Sequence, residues 1–155
     1  MSPEVLRAVT FAVTLPVLLV AHTVADHWVQ TSHQSAAKGG RSWAGRWACV
    51  RHVASYTLVT AVAVASVWWL FSLPISPAGF VAGQVLSAVT HYWADRRFTL
   101  ARLAKAAGKG EFYRFGAPRE GRDDNPGIGT GAYALDQSFH WLMLTGAGLL
   151  TAVVA

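Results

Sequence analysis

The sequence predicts an all-α protein in which four transmembrane helices form an antiparallel bundle. The composition is apolar, because hydrophobic residues make up 53% of the 155 residues and charged residues only 14%, about half the charged share of a soluble domain. Apolar segments of membrane-spanning length recur four times along the chain. The Lys and Arg residues are concentrated in two of the connecting loops. We therefore expect residues 1–155 to form one integral membrane domain.

Each of the four apolar segments approaches or exceeds the length needed to cross a bilayer. A transmembrane helix requires about 20 mostly apolar residues. Pro16 lies inside the first segment, where membrane helices tolerate proline. The predicted helices run approximately over residues 5–29, 48–73, 78–98 and 131–155.

The distribution of positive charge predicts the orientation of the bundle. Nearly all of the 13 Lys and Arg residues lie within or beside the loops 30–47 and 99–130, whereas the connector SLPISPA at 72–78 carries no charge. By the positive-inside rule, both basic loops lie in the cytoplasm and both termini lie outside. The sequence thus predicts a multi-pass protein of the cell inner (cytoplasmic) membrane.

The second basic loop contains two different segments. FTLARLAKAAGK at 98–109 predicts a short amphipathic helix on the membrane surface, with Phe98, Leu100 and Leu103 turned toward lipid. An ordinary solvated basic loop is the alternative. The following stretch, 116–131, is rich in Gly, Pro and Asp, which predicts an irregular turn region before the last helix.

Histidine and aspartate residues recur four positions apart near the predicted cytoplasmic ends of the helices. The motifs are HTVAD, HYWAD and, in reverse order, DQSFH, and one more histidine lies near the start of the second helix. Because the helices alternate in direction, we expect all of these side chains at a similar depth in the membrane. The set comprises His22, Asp26, His52, His91, Asp95, Asp136 and His140.

Such a set is suited to binding a metal. Residues at i and i+4 share a helix face, with Cβ atoms about 5–6 Å apart, so both can reach one ion. Imidazole and carboxylate ligands suit a divalent transition metal, with zinc favoured and iron or manganese as alternatives, and the set could hold one or two ions. Ionisable groups within a membrane are costly and usually mark function. The alternative is a hydrogen-bonded layer with only a structural role.

Four stretches of the chain resemble, in order, a family of small bacterial and phage membrane proteins known as domain of unknown function 3307. They are AHTVADHWVQ, the histidine at 52, THYWADRR and LDQSFHWLML. The chain departs from the family pattern at His27, where an aromatic residue is expected. More distantly, the His/Asp spacing is similar to that of membrane-bound metal-dependent hydrolases. These resemblances imply a four-helix membrane architecture and a bound metal, and for the reaction they offer only the label of hydrolase.

Metal-dependent hydrolysis is the first function that the predicted site suggests. A bound divalent metal lowers the pKa of a water ligand to about 7, and Asp26 or Asp136 is the candidate general base. Arg51, Arg96 and Arg97 lie at the predicted rim, where guanidinium groups suit an anionic substrate. We therefore expect a phosphorylated or lipid-linked substrate.

Two other classes of function remain open. Metal-ion or proton transport would require a polar path through the bundle and, with so few helices, a homo-oligomer. A non-enzymatic membrane scaffold would use the polar layer only for folding. In every case the lipid bilayer is the main partner. Nucleic-acid binding is not expected, because membrane topology already explains the positive charge and no recognition module is present.

Overall fold

The computed structural model describes residues 1–119, 121 and 129–154, and within these residues every regular element is a helix. The prediction of an all-α chain is therefore confirmed. Half of the predicted irregular segment 116–131 lies outside the described residues. The helices are α1 (Pro3–Val24), which continues as a π-helical turn (Ala25–Val29), α2 (Ser32–Ala37), α3 (Trp43–Phe71), α4 (Pro77–Asp95), α5 (Phe98–Ala106), α6 (Gly110–Arg114) and α7 (Gly131–Val153).

The first helix changes its winding at the end that carries the HTVAD motif. The amide of Gln30 donates to the carbonyl of Ala25 at 2.9 Å, an i→i+5 bond that defines the π turn. Turns of this kind occur frequently at functional sites, because the extra residue alters the direction of nearby side chains. Asp26 lies within the π turn, so its carboxylate is not held in a regular α-helical register with His22.

The first basic loop contains a helix that the sequence analysis did not predict. Thr31 and Gln34 form a capping box at the start of α2, with the Thr31 hydroxyl accepting from the Gln34 amide at 3.2 Å. The next helix, α3, begins at Trp43 rather than near residue 48, because the Ser42 side chain caps it by accepting from the Gly45 amide. The connection between α1 and α3 is therefore short and ordered.

The segment predicted to form a short helix after α4 is helical from Phe98 to Ala106. The turn before it is made by Arg97, which has a positive φ of 53°. Leu100 is buried within the protein, whereas Leu103 is exposed. The expectation that Leu100 faces lipid was therefore wrong, because this face of α5 packs onto the protein.

The four long helices form a ring. Helix α1 packs against α3 and α7, and α4 packs against the same two helices. The Ser76 hydroxyl at the start of α4 donates to the Val154 carbonyl at the end of α7, at 2.7 Å, so these two neighbours are antiparallel. Gly79 allows their close approach, because a Cβ at this position would lie 2.8 Å from the Val154 carbonyl oxygen.

Among the described residues, two of these helices are long and apolar enough to span a membrane. They are α1 with its π turn (Pro3–Val29) and α3 (Trp43–Phe71). Only 33% and 17% of the residues in their most apolar stretches are buried inside the protein. Much of their apolar surface therefore has no protein partner, which suggests a membrane protein.

Candidate metal centre

Four side-chain atoms from α1, α3 and α4 converge at the end of the bundle near the basic loops. Nε2 of His52 lies 3.2 Å from Asp26 Oδ1 and 3.3 Å from Asp95 Oδ2. Nε2 of His91 lies 3.4 Å and 3.3 Å from the same two oxygen atoms. The two Nε2 atoms are 3.0 Å apart. These four atoms form the primary cluster.

Five of the six separations within the primary cluster are those of neighbouring ligands on a transition metal. In a tetrahedral zinc site with bonds of about 2.0–2.1 Å, neighbouring ligand atoms lie about 3.3–3.4 Å apart. An octahedral ion with bonds near 2.1 Å places adjacent ligands about 3.0 Å apart. The five measured separations run from 3.0 to 3.4 Å. The donor set of two imidazoles and two carboxylates also suits such an ion.

The acceptor atoms of the primary cluster lack hydrogen-bond partners. Asp26 Oδ1 and Asp95 Oδ2 are buried, and neither accepts a hydrogen bond from any described residue. Buried polar atoms are nearly always paired, so both oxygen atoms need a partner that the described residues do not supply. A cation between the four atoms would compensate both oxygen atoms at once.

The other three predicted ligands lie beside the primary cluster. Nε2 of His22 lies 3.8 Å from Asp26 Oδ2 and 3.4 Å from the side-chain oxygen of Gln137. Nδ1 of His140 donates to the Asp136 carbonyl at 2.9 Å, which leaves its buried Nε2 without a partner. The His22 and His140 rings are 4.9 Å apart. All seven predicted His and Asp side chains are therefore brought together.

One carboxylate of the set faces nitrogen atoms on two sides. Asp26 directs Oδ1 toward the primary cluster and Oδ2 toward His22. Ligand atoms of Asp95, Asp136 and His140 also lie within 4.8 Å of one another. A carboxylate that faces two groups of nitrogen ligands is suited to bridge two metals.

Lys38 is a member of the site that the sequence analysis missed. Its Nζ lies 2.8 Å from Asp95 Oδ1, the oxygen that faces away from the primary cluster, and both side chains are buried. Such partners fix the orientation of a metal-binding carboxylate. Lys38 follows α2, so the capping box at Thr31 was the one sequence signal for an ordered segment there.

The three arginines predicted to bind substrate lie in different surroundings. Arg51 is exposed on α3. Arg96 is buried and donates to the backbone carbonyls of Lys38, at 2.7 Å, and Gly40. Its guanidinium therefore fastens the connection between α2 and α3. Arg97 lies beside the candidate metal centre, where it also donates to the Ser35 carbonyl at 2.9 Å.

A cavity of about 590 Å³ gives access to the cluster. Neither Arg51 nor Arg96 is among the described residues that line it. Burial raises the pKa of the Tyr113 phenol in its wall, and the nearby Asp136 carboxylate adds to that effect. Tyr113 therefore stays protonated at neutral pH, and its hydroxyl donates to the Arg97 carbonyl at 3.4 Å. The charged and tyrosine side chains of the lining are Asp26, Asp95, Asp136, Lys38, Arg97, Tyr113 and Tyr133, together with His27.

The chain was compared with known families, proteins and structures. No family model, curated protein or solved structure matches this chain. The resemblance to domain of unknown function 3307 and to metal-dependent hydrolases stays a prediction.

Proposed function

We propose that this chain is an integral membrane protein of the cytoplasmic membrane with a divalent transition-metal centre, and that it hydrolyses an anionic, phosphorylated or lipid-linked substrate. The observation that carries the proposal is the primary cluster, in which each of two imidazole nitrogens lies 3.0–3.4 Å from the other nitrogen and from two carboxylate oxygens. Zinc is favoured, because it accepts nitrogen and oxygen ligands in a tetrahedral site of this size.

The membrane placement is supported by the two long apolar helices and by the ring they share with α4 and α7. Among the described helices, α4 and α7 do not reach the same length and apolarity, but they pack against α1 and α3. In a ring of four antiparallel neighbours, all four helices would cross the bilayer together. The basic loops would then face the cytoplasm with the metal centre just below them, as the positive-inside rule predicts.

The residues of the cavity suit hydrolysis of an anion. A metal in this site would acidify a bound water and polarise a substrate oxygen. Asp136 lies outside the primary cluster and lines the cavity, so it is the better placed of the two candidate bases, whereas Asp26 serves as a ligand. Arg97, which also lines the cavity, offers guanidinium donors to a phosphate group. Lys38 is already committed to Asp95.

The first test measures metal content and hydrolysis together. We expect purified wild-type protein to carry one or two zinc ions per chain by elemental mass spectrometry. It should cleave chromogenic phosphomonoester or phosphodiester probes, lose activity with a chelator, and recover with zinc. Asp136→Asn should keep at least one ion but lower kcat by about 100-fold or more, because general bases contribute 10²–10⁴-fold. Ser138→Ala, at an exposed position on the same helix, is the matched control.

The two parts of the proposal can fail separately. Protein that carries no stoichiometric metal after growth with added zinc, iron or manganese would contradict the metal centre. Stoichiometric metal without cleavage of either probe class would contradict phosphoester hydrolysis. His/Asp variants that lose folding, in a protein whose wild type carries no metal and cleaves neither probe, would instead favour a scaffold.

Transport is a second candidate, favoured by the polar core beyond the metal centre. The Tyr56 and Ser87 hydroxyls share a hydrogen bond of 2.7 Å, and the Thr60 hydroxyl donates to the Gln84 side chain at 2.9 Å. All four side chains are buried between α3 and α4. Polar groups at membrane depth often mark ion or proton pathways. Metal uptake into proteoliposomes, together with the mass of the detergent-solubilised oligomer, would distinguish transport from hydrolysis.

A further inference from the structure

A second polar cavity lies apart from the metal centre, at the start of α3 and against α5 and α6. It has a volume of about 710 Å³. Four cationic side chains and one carboxylate, Glu111, line it. We call it the basic pocket, and its cations are Arg41, Arg102, Lys105 and Arg114.

Three guanidinium groups lie close to one aromatic ring at this pocket. The guanidinium carbon atoms of Arg41 and Arg102 lie 5.2 Å and 5.7 Å from the centre of the Phe98 ring. That of Arg96 lies 5.6 Å from the same centre. Arginine groups within about 6 Å of a ring centre are attracted by its π-face. The ring therefore holds three like charges close together despite their mutual repulsion.

The described residues that line the basic pocket carry a net positive charge. Among the residues that the structure describes, no carboxylate lies within ion-pairing distance of Arg41, Arg102, Lys105 or Arg114. Arg96 differs from them, because its guanidinium is occupied by two backbone carbonyls. A concave site with several unpaired cations favours an anionic ligand with more than one acceptor oxygen.

The basic pocket lies at the level expected for lipid headgroups. Arg41 directly precedes the cap of α3, one of the two candidate membrane spans. In the first turns of α3, Trp43 and Trp47 are 78% and 56% exposed. Exposed tryptophans at the end of a span are typical of the membrane–water interface. Leu103 is also exposed on α5, beside Arg102, and could contact acyl chains next to a bound headgroup.

We propose that the basic pocket binds the phosphate group of an anionic phospholipid, such as phosphatidylglycerol, from the cytoplasmic leaflet. Basic pockets beside membrane helices on this side recognise anionic headgroups by their charge. The exposed tryptophans favour a lipid over a soluble phosphate compound, because they place the pocket beside acyl chains. This inference rests on the proposed membrane placement, but it does not depend on the metal centre or on hydrolysis.

The test uses native mass spectrometry of the full-length protein, released from nanodiscs that contain phosphatidylglycerol and phosphatidylcholine. We expect the wild type to retain phosphatidylglycerol in preference to phosphatidylcholine. The double variant Arg102→Gln/Lys105→Gln should bind phosphatidylglycerol about 30-fold more weakly, because each cation near an anionic surface contributes a factor of about five. Arg46→Gln/Lys109→Gln is the matched control, since it removes the same charge from residues that do not line the pocket.

Three results would overturn the inference. They are equal retention of the two lipids by the wild type, unchanged retention of phosphatidylglycerol in the pocket variant, and an equal loss in the control variant, which would show only general attraction to charge. Metal content, measured on the same samples, should stay unchanged in both variants. This measurement separates the two proposals. Failure of the proposed metal centre would show as metal-free wild-type protein, whereas failure of this inference would show only in lipid retention.

Discussion

The two halves of the helical bundle bury polar side chains in different ways. In the half far from the basic loops, Thr10, Thr14 and Thr151 are buried, and each donates to a carbonyl four residues earlier in its own helix, at 2.9 Å. In the half near the loops, side chains from different helices converge and leave acceptor atoms without partners. Burial of a polar group alone therefore does not indicate function here. Convergence of unpartnered polar atoms does.

Tyr56 links the two halves. Its ring stacks on His91, with ring centres 3.8 Å apart and an interplanar angle of 22°. Its hydroxyl shares a hydrogen bond with Ser87, farther along the bundle. The same side chain thus supports a ligand of the primary cluster on one side and a satisfied helix–helix contact on the other. Variants in the two halves test whether only the half near the loops supports metal binding.

The largest effect is expected for His91→Ala, which removes one of the four converging atoms. We expect metal affinity to fall by more than about 100-fold, because even residues outside the coordination sphere typically contribute 10–100-fold. Isothermal titration of metal-free protein would measure this change. Thr14→Val, in the other half, is the control and should bind metal like the wild type. Equal loss in both variants would remove the distinction between the halves.

A smaller effect is expected for Lys38→Met, which keeps the length of the side chain but removes its charge. Lys38 holds the Asp95 oxygen that faces away from the primary cluster. Its loss should weaken metal binding by about 10–100-fold, as for other partners of metal ligands. Lys109→Met removes the same charge outside the site and should leave affinity unchanged. If Lys38→Met bound metal normally, the ion pair would have only a structural role.

The smallest effect is expected for Tyr56→Phe, which keeps the ring stacked on His91 and removes only the hydroxyl. The free energy of unfolding should fall by about 1 kcal/mol, the usual net contribution of one hydrogen bond. Metal content should not change, because no atom of the primary cluster is altered. Unfolding in mixed micelles would measure the first quantity and elemental analysis the second. A loss of metal would show that the hydroxyl also supports the site.

Much of the candidate site could be predicted from the sequence because helix geometry is regular. The i,i+4 spacing of His91 and Asp95 was enough to place them on one face of a helix. The positions of His52 and Asp26 near helix ends then predicted that they would meet in an antiparallel bundle. The structure brings these four side chains together. The all-helical class followed from the same apolar segments.

Other features could not be predicted in the same way. Arg96 and Arg97 are adjacent in sequence, yet one is buried against backbone carbonyls and the other lines the cavity. The positive φ of Arg97 sends the two side chains in different directions. Lys38 also lies in a basic loop, where lysines are usually solvated. Only the folded connection between α2 and α3 shows that it is buried.

The sequence by itself determined the helical class of this protein and which imidazole and carboxylate groups could share one end of the bundle. Those features depend on hydrophobic periodicity and on helix repeat, which act over a few residues. The tertiary structure alone decided that Asp26 lies in a π turn, that Lys38 pairs with Asp95, and that no carboxylate of the described residues pairs with the cations of the basic pocket. These depend on contacts between segments far apart in the chain, which local spacing does not specify.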